Sequence, residues 1–202
     1  MAQIKESAAK FTPKGERTRQ RIVDAAAALV YEHGVAKTTV DDVRSAAGVS
    51  SSQLYHYFRD KDELVRAVIV KQTDVVVGGQ EGQRFDSLEG LRAWREFVVR
   101  VVRRQRGRGG CPLGSLGSEL AEIDSRARGD ISLSFDRWEI TLREGLRAMK
   151  ARGELNAATD PDDLALATLA ALQGGLLLAK IHRSVKPVEA ALDAMITLIA
   201  LS

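Results

Sequence analysis

Residues 39–61, TVDDVRSAAGVSSSQLYHYFRDK, decide how the rest of the chain is read. Thr39 can cap a helix, with Asp42 three positions on to complete a capping box. Val40, Val43, Ala46 and Ala47 recur at helical spacing and give that helix an apolar face. Gly48 stops it, because glycine takes the left-handed C-cap conformation without a side-chain penalty. Ser50, with Gln53 at its third position, caps a second, shorter helix, which Arg59 and Asp60 close within three turns. Asp60, followed by Glu63, opens a third. Leu54, Tyr57 and Phe58 fall on a core-facing side, which leaves Ser51, Ser52, Gln53, Tyr55 and His56 outward. Helix, glycine turn and short polar helix make the helix-turn-helix that lays a recognition helix in the major groove of DNA.

Working outward, the 202 residues are 45% hydrophobic, enough to bury a sizeable core in one or two domains. Few prolines and abundant Ala, Leu, Arg and Glu favour helix throughout. A net charge of +3 permits a nucleic-acid partner without requiring one, and points to a local basic surface. A single cysteine, Cys111, excludes an intrachain disulfide and a cysteine-built zinc site and suits a reducing compartment, so a cytoplasmic location is expected. The N-terminus lacks the apolar core of a signal peptide. No histidine pair has zinc-ligand spacing with a carboxylate, and no nucleophile–base pair is visible; neither catalysis, a metal nor a cofactor is expected. Residues 164–179, LALATLAALQGGLLLA, are apolar on all sides but shorter than the roughly 20 residues a bilayer needs. They read as a helix buried in a bundle, with no membrane partner.

Taken in order, residues 1–13 read as a disordered polar arm. Lys14, Arg17, Arg19 and Arg21 then open a first helix over about 15–33. They are either a solvated basic helix start or a set of phosphate contacts. Ile22, Ala25, Ala26, Leu29 and Val30 form its apolar stripe, and Gly34 ends it. The helix opened by Asp60 extends to about residue 77. Ser87 caps the next, which carries Leu91, Trp94 and Phe97 and finishes in Arg100, Arg103, Arg104, Arg106 and Arg108. That basic end is either a solvated terminus or a second contact for DNA or an anionic ligand. Residues 107–122, GRGGCPLGSLGSELAE, form a loop and then a helix from about 113–115, without a phosphate-loop pattern. After a break at 125–129, a long helix carries Ile131, Phe135, Trp138, Ile140, Leu142, Leu146 and Met149. Asp160 caps the uniformly apolar helix and Pro187 opens the last. The expected fold is all-α: an arm over 1–13, a three-helix DNA-binding domain over 14–60, and a larger helical ligand-binding and dimerisation domain over 61–202.

Residues 21–69, RIVDAAAALVYEHGVAKTTVDDVRSAAGVSSSQLYHYFRDKDELVRAVI, resemble the TetR family of transcriptional regulators; the segment V-S-x-x-x-L-Y-x-Y-F-x-x-K over 49–61 is the most specific part. The string GCPLGSLGSEL also resembles a drug- and flavonoid-responsive subgroup of these repressors. The resemblance implies an obligate dimer on a palindromic operator, released when a ligand binds the C-terminal domain. On matching positions it implies that Thr39 donates to a phosphate, that Ser51, Ser52, Gln53, Tyr55 and His56 contact DNA, that Tyr57 packs or touches backbone, and that Lys61 reaches a phosphate. Many relatives carry Lys or Gly just after the capping serine; here Ser51 and Ser52 stand there, with no charge to offer a phosphate.

Physical chemistry adds its own reading. The Gln53 amide can bond adenine bidentately, and a two-fold dimer sets recognition helices about 34–36 Å apart. The last two helices, about 161–183 and 187–201, are expected to pair with a second copy through their small residues. An effector pocket is expected among Trp94, Phe97, Cys111, Leu113, Leu116, Leu120, Phe135 and Trp138, suited as a set to a flat aromatic ligand, although each of these residues singly is better explained by core packing. Cys111 is either a redox or electrophile sensor or a buried structural thiol. The alternatives are a DNA-binding regulator without effector and a helical ligand-binding protein.

Overall fold

The computed structural model describes residues 11–80 and 82–202, so residues 1–10 of the expected arm lie outside the described residues. Every regular element among the described residues is helical. They fall into two compact units, the first ending at Lys71 and the second spanning Gln72–Ser202.

The first unit contains α1 (Pro13–His33), α2 (Val40–Ala47), α3 (Ser51–Tyr57) and most of α4 (Lys61–Thr73). Helix α1 starts two residues before the expected position, because Pro13 suits the first helical turn and the Thr12 hydroxyl accepts from Gly15 N–H at 3.2 Å. Its buried face is Ile22, Val23, Ala26, Ala27 and Val30; Ala25 and Leu29 are only half-buried. Gly48 takes φ 62°, ψ 44°, the left-handed C-cap that turns α2 into α3. Val43, Ala47, Leu54, Phe58, Leu64, Val65 and Val68 complete the core. A small void lined by Ala26, Val30, Val43, Leu64 and Val68 measures about 10 Å³, which leaves no comfortable room for a water.

The second unit opens with the end of α4 and a π-helical turn, Asp74–Gly78, where a continuous helix was expected. It continues with α5 (Leu88–Arg104), α6 (Pro112–Leu120), α7 (Ser125–Ala151), α8 (Pro161–His182) and α9 (Lys186–Leu201). Helix α7 runs straight through the expected break at 125–129. The Asp124 carboxylate accepts from Arg126 and Arg128's neighbour Ala127, at 2.9 and 3.0 Å, and seats the helix start. Helix α6 starts at Pro112 with Cys111 as its cap. The core joins Leu91 and Trp94 of α5, Leu113 of α6, Trp138, Leu142 and Leu146 of α7, Leu169 and Leu172 of α8, and Val188 and Leu192 of α9. Full burial of one such leucine contributes about 1.5–3 kcal/mol. A Cβ added at Gly175 would stand 3.1 Å from Val188 Cα, so α8 and α9 approach each other at a glycine. Helix α8 is long and apolar enough to cross a membrane. Its buried side carries Leu164, Ala165, Thr168, Leu169 and Leu172, while Leu166, Leu177, Leu178 and Ile181 are exposed, joined by Leu198 and Leu201 of α9.

Candidate nucleic-acid interface

Helix α3 is short and would not persist alone in water; its position comes from its ends and from two anchors. Leu54 and Phe58 are each 1% exposed and seat it in the first unit's core. The Arg19 guanidinium lies 5.4 Å from the Phe58 ring centroid, a cation–π contact that ties α1 to the anchor. With those two side chains inward, Ser51, Ser52, Gln53, Tyr55 and His56 face solvent. Tyr57 is half-buried and meets Phe11 edge-on at 5.0 Å, while His56 meets Phe11 at 5.9 Å. Phe11 was read as part of the arm. The structure instead makes it the platform under the far end of the recognition helix, and no periodic signal in the sequence marks it.

Capping geometry constrains what these groups offer. The Gln53 carbonyl oxygen accepts from Ser50 N–H at 3.0 Å and lies 3.3 Å from the Ser50 hydroxyl, which is 3.0 Å from the Ser52 hydroxyl. Bidentate reading of adenine by Gln53 therefore requires this box to open; closed, it presents only its NH₂. At α2, the Thr39 hydroxyl donates to Asp42 at 2.6 Å, so the expected donation to a phosphate competes with that bond. Hydrogen bonds from the Thr39 side chain and backbone hold the Asp42 carboxyl below its ordinary pKa. The Lys61 ammonium donates to the Val35 carbonyl at 2.7 Å, pinning the α1–α2 loop at the start of α4. Lys14 and Arg17 are exposed, with no ion-pair partner among the described residues. A small polar helix, seated on an apolar core and preceded by a basic helix start, is suited to enter a groove between phosphates.

Comparison with known proteins agrees with this geometry. Residues 22–68 match the family model "Bacterial regulatory proteins, tetR family", and residues 87–195 match "Tetracyclin repressor-like, C-terminal domain", more than half of the chain. The chain belongs to the TetR family. Like other members it is a DNA-binding transcriptional regulator with a helix-turn-helix domain followed by a helical C-terminal domain. It is 28% identical over 182 residues to the transcriptional regulator AcuR of Cereibacter sphaeroides, covering 88% of this chain and 83% of that protein. A solved TetR regulator from Chloroflexus aurantiacus superposes with a TM-score of 0.80 at 28% identity, over 93% of this chain and 96% of that one. The SmeT–triclosan complex shares the fold, with a TM-score of 0.67 at 24% identity over 90% and 91%.

The residues read as a pocket in this TetR chain are buried or half-buried. Trp94, Cys111, Leu113, Leu116, Leu120 and Trp138 are buried core, and Phe97 and Phe135 are half-buried. Phe135 stacks near Trp138, with centroids 6.4 Å apart. Both indoles donate to one acceptor that sequence reading passed over: the Gln80 side-chain carbonyl takes Trp94 N–H at 2.8 Å and Trp138 N–H at 3.1 Å. An open groove of about 660 Å³ runs past this hub, lined by Gln80, Phe85, Arg137, Trp138, Thr141 and Glu144 among others, and Trp138 is its one member from the expected set. The Cys111 Sγ accepts from Gly114 N–H at 3.4 Å, and burial pushes its thiol pKa up, which disfavours the reactive thiolate.

Proposed function

We propose that this TetR-family member is a cytoplasmic, homodimeric repressor that binds a palindromic operator and is released by a small, apolar or aromatic effector held by the second unit. The observation that carries the DNA reading is the division of α3, with Leu54 and Phe58 buried and Ser51, Ser52, Gln53, Tyr55 and His56 outward. Dimerisation through α8 and α9 is supported by their exposed Leu166, Leu177, Leu178, Ile181, Leu198 and Leu201, an apolar face that a second copy would cover. An effector is supported by the buried Gln173 amide nitrogen, whose polar neighbour is the Cys111 thiol, a weak acceptor that leaves its donor capacity largely open. Gln173 lies beside the first turn of α6, where a Cβ at Gly114 would meet its oxygen at 2.9 Å.

Selection of bound fragments from the DNA upstream of the gene should recover an inverted repeat, and sizing of the bound complex should show two chains per repeat. Recovery of no specific fragment would sink the operator reading. Effector candidates are then scored by release of that fragment and by tryptophan emission, since both tryptophans of the chain meet at Gln80. A regulator without effector remains the second reading. It is favoured by the dense packing of Trp94 and Leu113, each fully buried.

A further inference from the structure

Two long stretches of the second unit contain no carboxylate, residues 97–118 and 164–188, although basic and acidic residues balance over the unit as a whole. Each stretch carries a cluster of cations. Arg104, Arg106 and Arg108 stand at the C-terminus of α5 and just beyond it; Lys180, Arg183 and Lys186 stand at the end of α8 and the start of α9. The fold brings these two groups together. A Cβ at Gly107 would lie 2.9 Å from the Ala179 carbonyl oxygen and 3.0 Å from Ser184 N, and one at Gly110 would lie 3.5 Å from Lys180 Cδ. All six cations are exposed, and none has an ion-pair partner among the described residues. Their neighbour Arg103 is neutralised by Glu189 at 2.6 Å.

Cations at helix C-termini are ordinarily explained by the helix dipole. Two helix ends supply about one negative charge between them, far short of six cations. Folding does not account for the residue choice either. Arg106 and Arg183, with φ of 53° and 50°, are the only non-glycine residues in the left-handed region among the described residues, where glycine would sit without strain. The cluster is therefore segregated charge on a surface that folding alone would have built differently.

We propose that this two-segment basic surface is a second contact for the phosphate backbone of DNA, additional to the helix-turn-helix. Arginine forks match phosphate oxygens, and the surface reads no base, so it adds affinity without selectivity. The inference rests on DNA binding by the whole chain and extends it to a face outside the first unit.

The test uses the full-length protein and the operator fragment recovered above, with binding measured against salt concentration. Two variants are compared with the parent: Arg104→Gln/Arg108→Gln/Lys186→Gln, and Arg106→Gly/Arg183→Gly. The glycine variant removes two charges while relieving two left-handed residues, so its thermal midpoint should hold or rise. Both variants should flatten the slope of log affinity against log salt by about 0.9 for each lost contact, equally on operator and unrelated duplex. Slopes equal to the parent's in both variants would overturn the second contact while leaving operator binding standing. A parent that binds no DNA would overturn both. Loss of binding to anionic vesicles with an unchanged DNA slope would assign the surface to another polyanion and reject the proposal.

Discussion

The recognition helix and the core of the second unit use glutamine and aromatic side chains in opposite ways. In α3, Gln53 closes a hydrogen bond three residues back, and Tyr55 and His56 face solvent. In the second unit, Gln80 accepts from indoles 14 and 58 positions away, and both rings are buried. Local bonding leaves the outward face of α3 free for a partner and legible as a motif. Distant bonding spends the aromatic groups on holding α5 and α7 to one point, which a linear pattern does not reveal.

The largest expected effect breaks the seat of α3. Phe58→Ala empties a fully buried site and should cost about 3–5 kcal/mol, with loss of operator binding. Urea unfolding followed by circular dichroism should show it. Tryptophan emission, which reports only the second unit because both tryptophans lie there, separates damage to the two units. A cost below about 1 kcal/mol would mean that α3 is held by something other than its core anchors.

Next comes the hub. Gln80→Leu leaves two indole N–H groups without an acceptor, at about 1–3 kcal/mol for each such group, whereas Gln80→Glu keeps an acceptor oxygen. Emission from the two tryptophans and the denaturation midpoint should change much more for Leu than for Glu. Equal effects would show that Gln80 only fills space.

What was legible follows the same division. Thr39, Gly48 and Ser50 act within four residues, and each takes the capping role their spacing predicts. A break was expected over 125–129, yet Gly129 sits inside α7, and a Cβ added there would meet nothing within 4 Å. A glycine costs a helix about 1 kcal/mol, which the Asp124 cap and the packing of Ile131 and Trp138 override. Phe11 and Gln80 were not legible, because their partners are set by tertiary approach. Which residues of α3 face outward was readable in the sequence. The hydrogen-bond state of the candidate DNA face was not: Gln53 and Thr39 are both engaged by their own helices.

A smaller effect tests the cap of α2. Thr39→Ala should cost about 1 kcal/mol at neutral pH. Because the Asp42 carboxyl is held below its ordinary value by Thr39, the contribution of this pair is present above the unfolded carboxyl pKa and is lost as pH falls through the folded one. The gap between parent and variant should therefore narrow in acid, below about pH 4, leaving the part carried by the Asp42 N–H bond to the Thr39 hydroxyl. Curves that stay parallel would mean that the box is not formed by the carboxylate.

The smallest expected effect on the fold carries the most information about reading. Gln53 can perform two tasks at one position: its oxygen accepts from Ser50 N–H at the start of α3, and its exposed amide keeps an NH₂ to donate. Gln53→Glu keeps an oxygen for Ser50 N–H and places negative charge at a helix N-terminus, so stability should change by less than about 0.5 kcal/mol. The same substitution replaces an outward donor with a carboxylate facing phosphates, and operator affinity should fall at least tenfold. Gln53→Ala separates the tasks from the other side, losing the reciprocal cap while removing only an uncharged contact. If Glu binds the operator as tightly as the parent, Gln53 is a capping residue alone. Selectivity would then have to come from Ser51, Tyr55 and His56.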